Sequence, residues 1–152
     1  MELELKRGGR TARVETLGGE LVSYRDERGL EYIWGGDPAY WPGRNPLLFP
    51  IVGMLKEGKI RFDGREYAME RHGFARRREF TPAARGEDWV RLELRESAET
   101  LALYPYPFRL AVEQRLTDTG FSTAVTVANP GEGPLPFCLG AHTGFRGPLE
   151  AG

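Results

Sequence analysis

Only two histidines occur in the chain, His72 and His142. Histidine's ordinary pKa lies nearest neutral pH, so these two are the natural candidates for moving a proton. Each sits among glycines, in Glu70-Arg71-His72-Gly73-Phe74-Ala75-Arg76 and in Leu139-Gly140-Ala141-His142-Thr143-Gly144-Phe145. Glycine lets a backbone or a ligand approach closely. By residue type alone, both are equally well read as ordinary polar residues at loop ends. Phe74 and Phe145 fall within three positions of a histidine. An aromatic ring there can stack on the apolar face of a sugar, although most aromatics are core. Arg76-Arg77-Arg78 is a basic run. Read as strand residues, its members alternate, so one faces a site while its neighbour faces water.

Other chemistries find less support. There is no His-x-His or His-x-x-x-His spacing and no carboxylate in register with either histidine, so no metal is expected. The single cysteine, Cys138, excludes an internal disulfide. It lies four positions before His142. On a strand the two share a face but stand too far apart to pair, at about 3.3 Å per residue. Its apolar neighbours favour a buried, inert thiol. No Gly-x-Ser-x-Gly elbow and no phosphate-binding glycine loop is present.

The elements that must position these residues read as short strands. Alternating apolar residues recur at Leu3 to Lys6, Ala12 to Leu17, Leu21 to Tyr24 and Tyr32 to Trp34. Lys59 to Met69 is the clearest hairpin, turning at Asp63-Gly64, a pair that tolerates the positive φ angles of a type I′ turn. Trp89 to Arg95 alternates, and Phe108 to Leu116 pairs with Phe121 to Ala128 across Thr117-Asp118-Thr119-Gly120. Helix is expected only as single turns near Pro38 to Trp41 and Ser97 to Leu101. Gly35 to Gly58 is different, because Pro42, Pro46 and Pro50 crowd it and forbid a central strand or helix. Irregular loops of that length inside a domain are usually functional or disordered. The apolar residues Tyr40, Trp41, Leu47, Leu48 and Phe49 argue for order.

The length of 152 residues predicts a single domain, residues 1–152, and the short strands joined by turns predict an all-β sandwich or barrel-like architecture. The formal net charge of -1 argues against a nucleic-acid partner or an anionic membrane surface. With no long apolar run and no signal-peptide pattern, a cytoplasmic protein is expected.

Taken in order, Glu31-Tyr32-Ile33-Trp34, Gly36-Asp37-Pro38-Ala39-Tyr40-Trp41, Pro46-Leu47-Leu48-Phe49-Pro50-Ile51-Val52-Gly53, Phe62-Asp63-Gly64-Arg65-Glu66-Tyr67, His72-Gly73-Phe74-Ala75-Arg76 and Pro136-Phe137-Cys138-Leu139-Gly140-Ala141-His142 form a series. That series resembles the aldose 1-epimerase (galactose mutarotase-like) family, most closely its LacX-type bacterial branch. The resemblance implies a supersandwich of large antiparallel sheets that binds a sugar in a groove across one face. It implies interconversion of α and β anomers of free aldoses by acid/base ring opening, without a cofactor. By position His142 takes the role of the acid, and His72 supports the ring oxygen or a neighbouring hydroxyl. Arg76 becomes a sugar-hydroxyl or charge partner, and Phe145 borders the sugar.

The family's base is a glutamate in the second half of a chain about twice as long, and nothing here matches it. Met54 stands where many relatives carry arginine. The resemblance therefore covers an N-terminal portion, with Gly147 to Gly152 reading like an interrupted loop. Mutarotation by this chain alone is expected to be weak or absent. The alternative is a non-catalytic carbohydrate-binding module using Phe145, Phe74 and Arg76. Exposed sheet edges and an exposed apolar face predict pairing with a second copy, as a homodimer, or with another chain.

Overall fold

The computed structural model describes residues 1–147. The Gly147 to Gly152 reading lies, beyond its first residue, outside the described residues. Two antiparallel sheets supply most of the core. The first is the meander β1 (Glu2–Arg7), β2 (Arg10–Glu15) and β3 (Glu20–Arg25), in that order. The second runs β10 (Phe121–Ala128), β9 (Arg109–Leu116), β8 (Trp89–Arg95), β7 (Thr81–Arg85). Strand alternation turns Leu3, Leu5, Ala12, Val14 and Leu21 of the first sheet inward. They share one core with Val90, Leu92, Leu110, Val112 and Leu116 of the second. Of the sandwich and barrel-like architectures that the alternation allowed, this is the sandwich.

Two small pairings complete the sheets. β5 (Lys59–Phe62) and β6 (Arg65–Ala68) form the expected hairpin. Asp63 and Gly64 take φ of 47° and 80°, both left-handed as a type I′ turn requires. β4 (Leu47–Leu48) pairs with β11 (Gly140–Ala141). The one α-helix among the described residues, α1 (Ala98–Leu103), starts at a capping box between Ser97 and Thr100.

Three expectations need correction, and one strand was not expected. Tyr32 to Trp34 is not a strand, and only Glu31 and Ile33 make isolated bridges, to Arg25 and Phe145. Near Pro38 to Trp41 the chain makes turns, with Tyr40 and Trp41 amides both donating to Asp37 O, and no helix. β7 was not legible because Pro82 interrupts it; it tolerates proline as an edge strand with a register shift between Pro82 and Ala84. The arginine run is not a strand, since Ala75–Arg77 forms a 3-10 turn.

Candidate functional site

The crowded segment around Pro46 to Gly53 is the strut of the site. Along one edge it takes the histidine segment from the C-terminal side. Cys138 N donates to Pro50 O at 2.8 Å, Gly140 pairs with Leu48, and His142 N donates to Pro46 O at 3.2 Å. Along the other edge it takes the first histidine segment. Phe74 N donates to Phe49 O at 3.0 Å and His72 N donates to Gly53 O at 2.7 Å. Both histidines are thus hung from one strut, on opposite edges.

His72 is held tightly. Its φ of 67° is left-handed, and Gly73 follows at 69°. Left-handed non-glycine residues of this kind cost on the order of 1–3 kcal/mol and cluster at functional sites. Gly73 has no substitute, because a Cβ there would stand 2.2 Å from Phe49 O. Nδ1 of His72 accepts a hydrogen bond from Gly53 N–H at 3.0 Å. The neutral ring therefore carries its proton on Nε2, which is left as a donor. Burial pushes the His72 pKa down, and the charges of Arg76, Arg71 and His142 push it further.

Arg76 lies in the 3-10 turn that follows the first histidine segment. Its NH2 group donates to Arg71 O at 2.9 Å, while its Nε is buried without a partner. Arg77 and Arg78 turn elsewhere, Arg77 to Glu70 at 2.6 Å and Arg78 to Glu99. The three arginines diverge around a 3-10 turn and not by strand alternation.

On the other edge, His142 is exposed and meets the indole of Trp41, ring centroids 5.1 Å apart and 70° between planes. The Trp41 ring is pinned by glycines: a Cβ on Gly43 would stand 2.8 Å from it, and one on Gly144 2.7 Å. Trp34 Nε1 donates to Trp41 O at 2.8 Å, fixing the backbone as well.

The expected aromatic neighbours fall elsewhere. Phe74 is 4% exposed and packs edge or tilted against Phe49, Tyr104 and Phe108, so it is core and not a stacking platform. Phe145 is 73% exposed, but it lines a cleft of about 260 Å³ with Tyr24, Tyr32, Phe121 and Thr143. The residues that meet Trp41, His142 and Gly144, alternate with Thr143 and Phe145. Phe145 therefore turns away from the His142 ring. Cys138 is exposed, not buried, because its segment runs along the outer edge of the strut. Trp41 and Arg71 are the site residues that sequence reading missed. The crowding of Trp41 by glycines in Trp41-Pro42-Gly43 was the available signal for the first.

Among the described residues, no three His, Cys, Asp or Glu side chains gather as a metal site. None of the described helices is long and apolar enough to cross a membrane.

The family model for aldose 1-epimerase matches residues 1–150. The chain belongs to the aldose 1-epimerase family. It is 39% identical, over its whole length, to the plasmid-encoded protein LacX of Lactococcus lactis, and covers 53% of that protein. Its fold matches that of a galactose mutarotase related enzyme from Lactobacillus acidophilus at a TM-score of 0.95 and 27% identity, covering all of this chain and 51% of that one. A galactose mutarotase-like protein from Lactobacillus casei gives a TM-score of 0.95 at 33% identity, over 99% of this chain and 52% of that one. The chain thus spans about half the length of the epimerase-family relatives it matches. The mutarotase-like fold expected from the residue series is present.

Proposed function

We propose that this chain binds a free aldose against the His72–His142 strut and serves ring opening by proton transfer. The observation that carries the reading is the pairing of the only two histidines on opposite edges of one strut. Anomer exchange requires an acid at the ring oxygen and a base at the C1 hydroxyl, with roles reversed on reclosure. His142, exposed beside Trp41, is the acid. His72, neutral with Nε2–H free to donate, hydrogen-bonds the ring oxygen or an adjacent hydroxyl. Burial first, then the charges of Arg76 and Arg71, lower the His72 pKa and favour its neutral form. The half-buried Trp41 takes the bordering role assigned to Phe145 on sequence grounds. No cofactor enters this chemistry, and a cytoplasmic location suits it.

The proton acceptor is not among the residues gathered here. Glu70, two positions from His72, is engaged by Arg77. Losing one of two coupled proton-transfer groups costs about 10²–10⁴-fold. Polarimetry of fresh α-D-glucose and α-D-galactose is expected to show little acceleration by the 152-residue chain. Joined to the second half of the Lactobacillus acidophilus relative, the chain is expected to accelerate mutarotation, and His142→Ala should then cost about 10²–10⁴-fold. A folded, sugar-binding chimera that stays at the buffer rate would favour the binding-module reading instead.

A further inference from the structure

We propose that Glu20 is the positioning residue of His142, a role that builds on the reading of His142 as the site's acid. Glu20 opens β3, 122 positions before His142 in the chain. Its Oε1 accepts two consecutive main-chain amides, Arg44 N at 2.8 Å and Asn45 N at 2.5 Å. With those amides drawn toward β3, the Arg44 and Pro46 carbonyls and the Asn45 side chain point to the histidine segment. Arg44 O accepts from Gly144 N at 2.7 Å, and Pro46 O accepts from His142 N at 3.2 Å. Asn45 Oδ1 accepts from the Thr143 hydroxyl at 2.6 Å. Three successive residues, 142 to 144, are therefore tied to three successive residues, 44 to 46, and the first two of the latter are clamped by one carboxylate.

The same clamp sets the aromatic wall. Trp41 stands three positions before Arg44, and its ring fits between Gly43 and Gly144. Moving Arg44 and Asn45 moves the Trp41–Gly144 contact and with it the ring that His142 meets. Asn45 is buried, so its amide has no water to replace the lost acceptor. The β2–β3 turn also reaches the other histidine segment, because Gly18 N donates to Arg78 O at 2.8 Å and Gly18 packs on the Arg76 backbone. That second tie does not pass through the Glu20 side chain. Removing the carboxylate is therefore expected to disturb His142 and spare His72.

The two histidines give two separable sets of imidazole signals in a carbon–proton correlation spectrum of the 152-residue chain. In Glu20→Ala, the His142 signals are expected to lose the displacement caused by Trp41 and move to the position of a free imidazole, while the His72 signals stay. Glu20→Gln keeps a carbonyl oxygen acceptor and is expected to hold His142 near its original position. Unmoved His142 signals in Glu20→Ala would overturn the proposal. So would equal movement of both histidines, or a Glu20→Gln spectrum like that of Glu20→Ala. Should Glu20→Ala fail to fold, hydrogen exchange decides in the other two proteins. The Arg44 and Asn45 amides are expected to be protected in both, and fast exchange there with His142 unmoved would refute the clamp. These signals are read without sugar, so a chain that shows them yet turns over no aldose loses its proposed function and keeps its clamp.

Discussion

At the scale of single residues, the His72 environment makes a directional prediction. Burial first, then Arg76, Arg71 and His142, hold its pKa below the ordinary 6.5. Protonation therefore favours the unfolded chain. The stabilising contribution is complete above the ordinary value and is lost as pH falls through the folded one. Titration of the His72 ring by NMR is expected to give a midpoint under 6.5. Arg76→Gln should raise that midpoint, while Arg77→Gln, whose partner is Glu70, should leave it unchanged. A midpoint that ignores Arg76 would contradict the assignment of that side chain to the site. Gly73 is the second residue-scale test. Gly73→Ala meets both a left-handed φ of 69° and the Phe49 carbonyl. Urea unfolding is expected to show a loss of at least about 2 kcal/mol. A loss of a few tenths would mean that the strut tolerates movement.

At the scale of elements, α1 depends on its cap. Ser97 accepts from Thr100 N and the Thr100 hydroxyl accepts from Ser97 N. Ser97→Ala is expected to cost about 1 kcal/mol by chemical denaturation. Gln114 of β9, 1% exposed, joins the two sheets by donating to Gly19 O at 2.9 Å and accepting from Thr123 Oγ1 at 2.6 Å. Gln114→Leu leaves the Gly19 carbonyl unpaired and is expected to cost about 1–3 kcal/mol in the same assay.

These elements also mark how far the sequence could be read. The β5–β6 hairpin was legible because Asp63-Gly64 is a local instruction, and β8 because Trp89 to Arg95 alternates cleanly. Both histidines were legible from residue type. The strut was not, since Pro46 and Pro50 erase any period and its order comes from partners far away in the chain. Phe74 and Phe145 were misplaced for one reason. Nearness to a histidine in sequence does not fix the side of the backbone on which a ring lies. Glu20 was invisible because its partners, Arg44 and Asn45, are 24 and 25 positions away.

At the scale of the molecule, one core joins the two main sheets, and both histidines sit where the strut crosses from it to the surface. Val52, Met54, Phe137, Leu139 and Phe145 are all exposed. β10 ends the second sheet with its outer edge unpaired among the described residues. Exposed edges and contiguous apolar patches promote association. Sedimentation velocity is expected to show assembly that grows with concentration. A monomer at every concentration would mean that these side chains are covered in another way.

The most direct test of the two-histidine site is a titration of the chain with D-galactose and with D-glucose, followed through the His72 and His142 ring signals. Both histidines are expected to shift along one common saturation curve for at least one of the sugars, and Arg76→Gln is expected to weaken it. If neither ring responds, or only one does, the two edges of the strut do not form a shared aldose site.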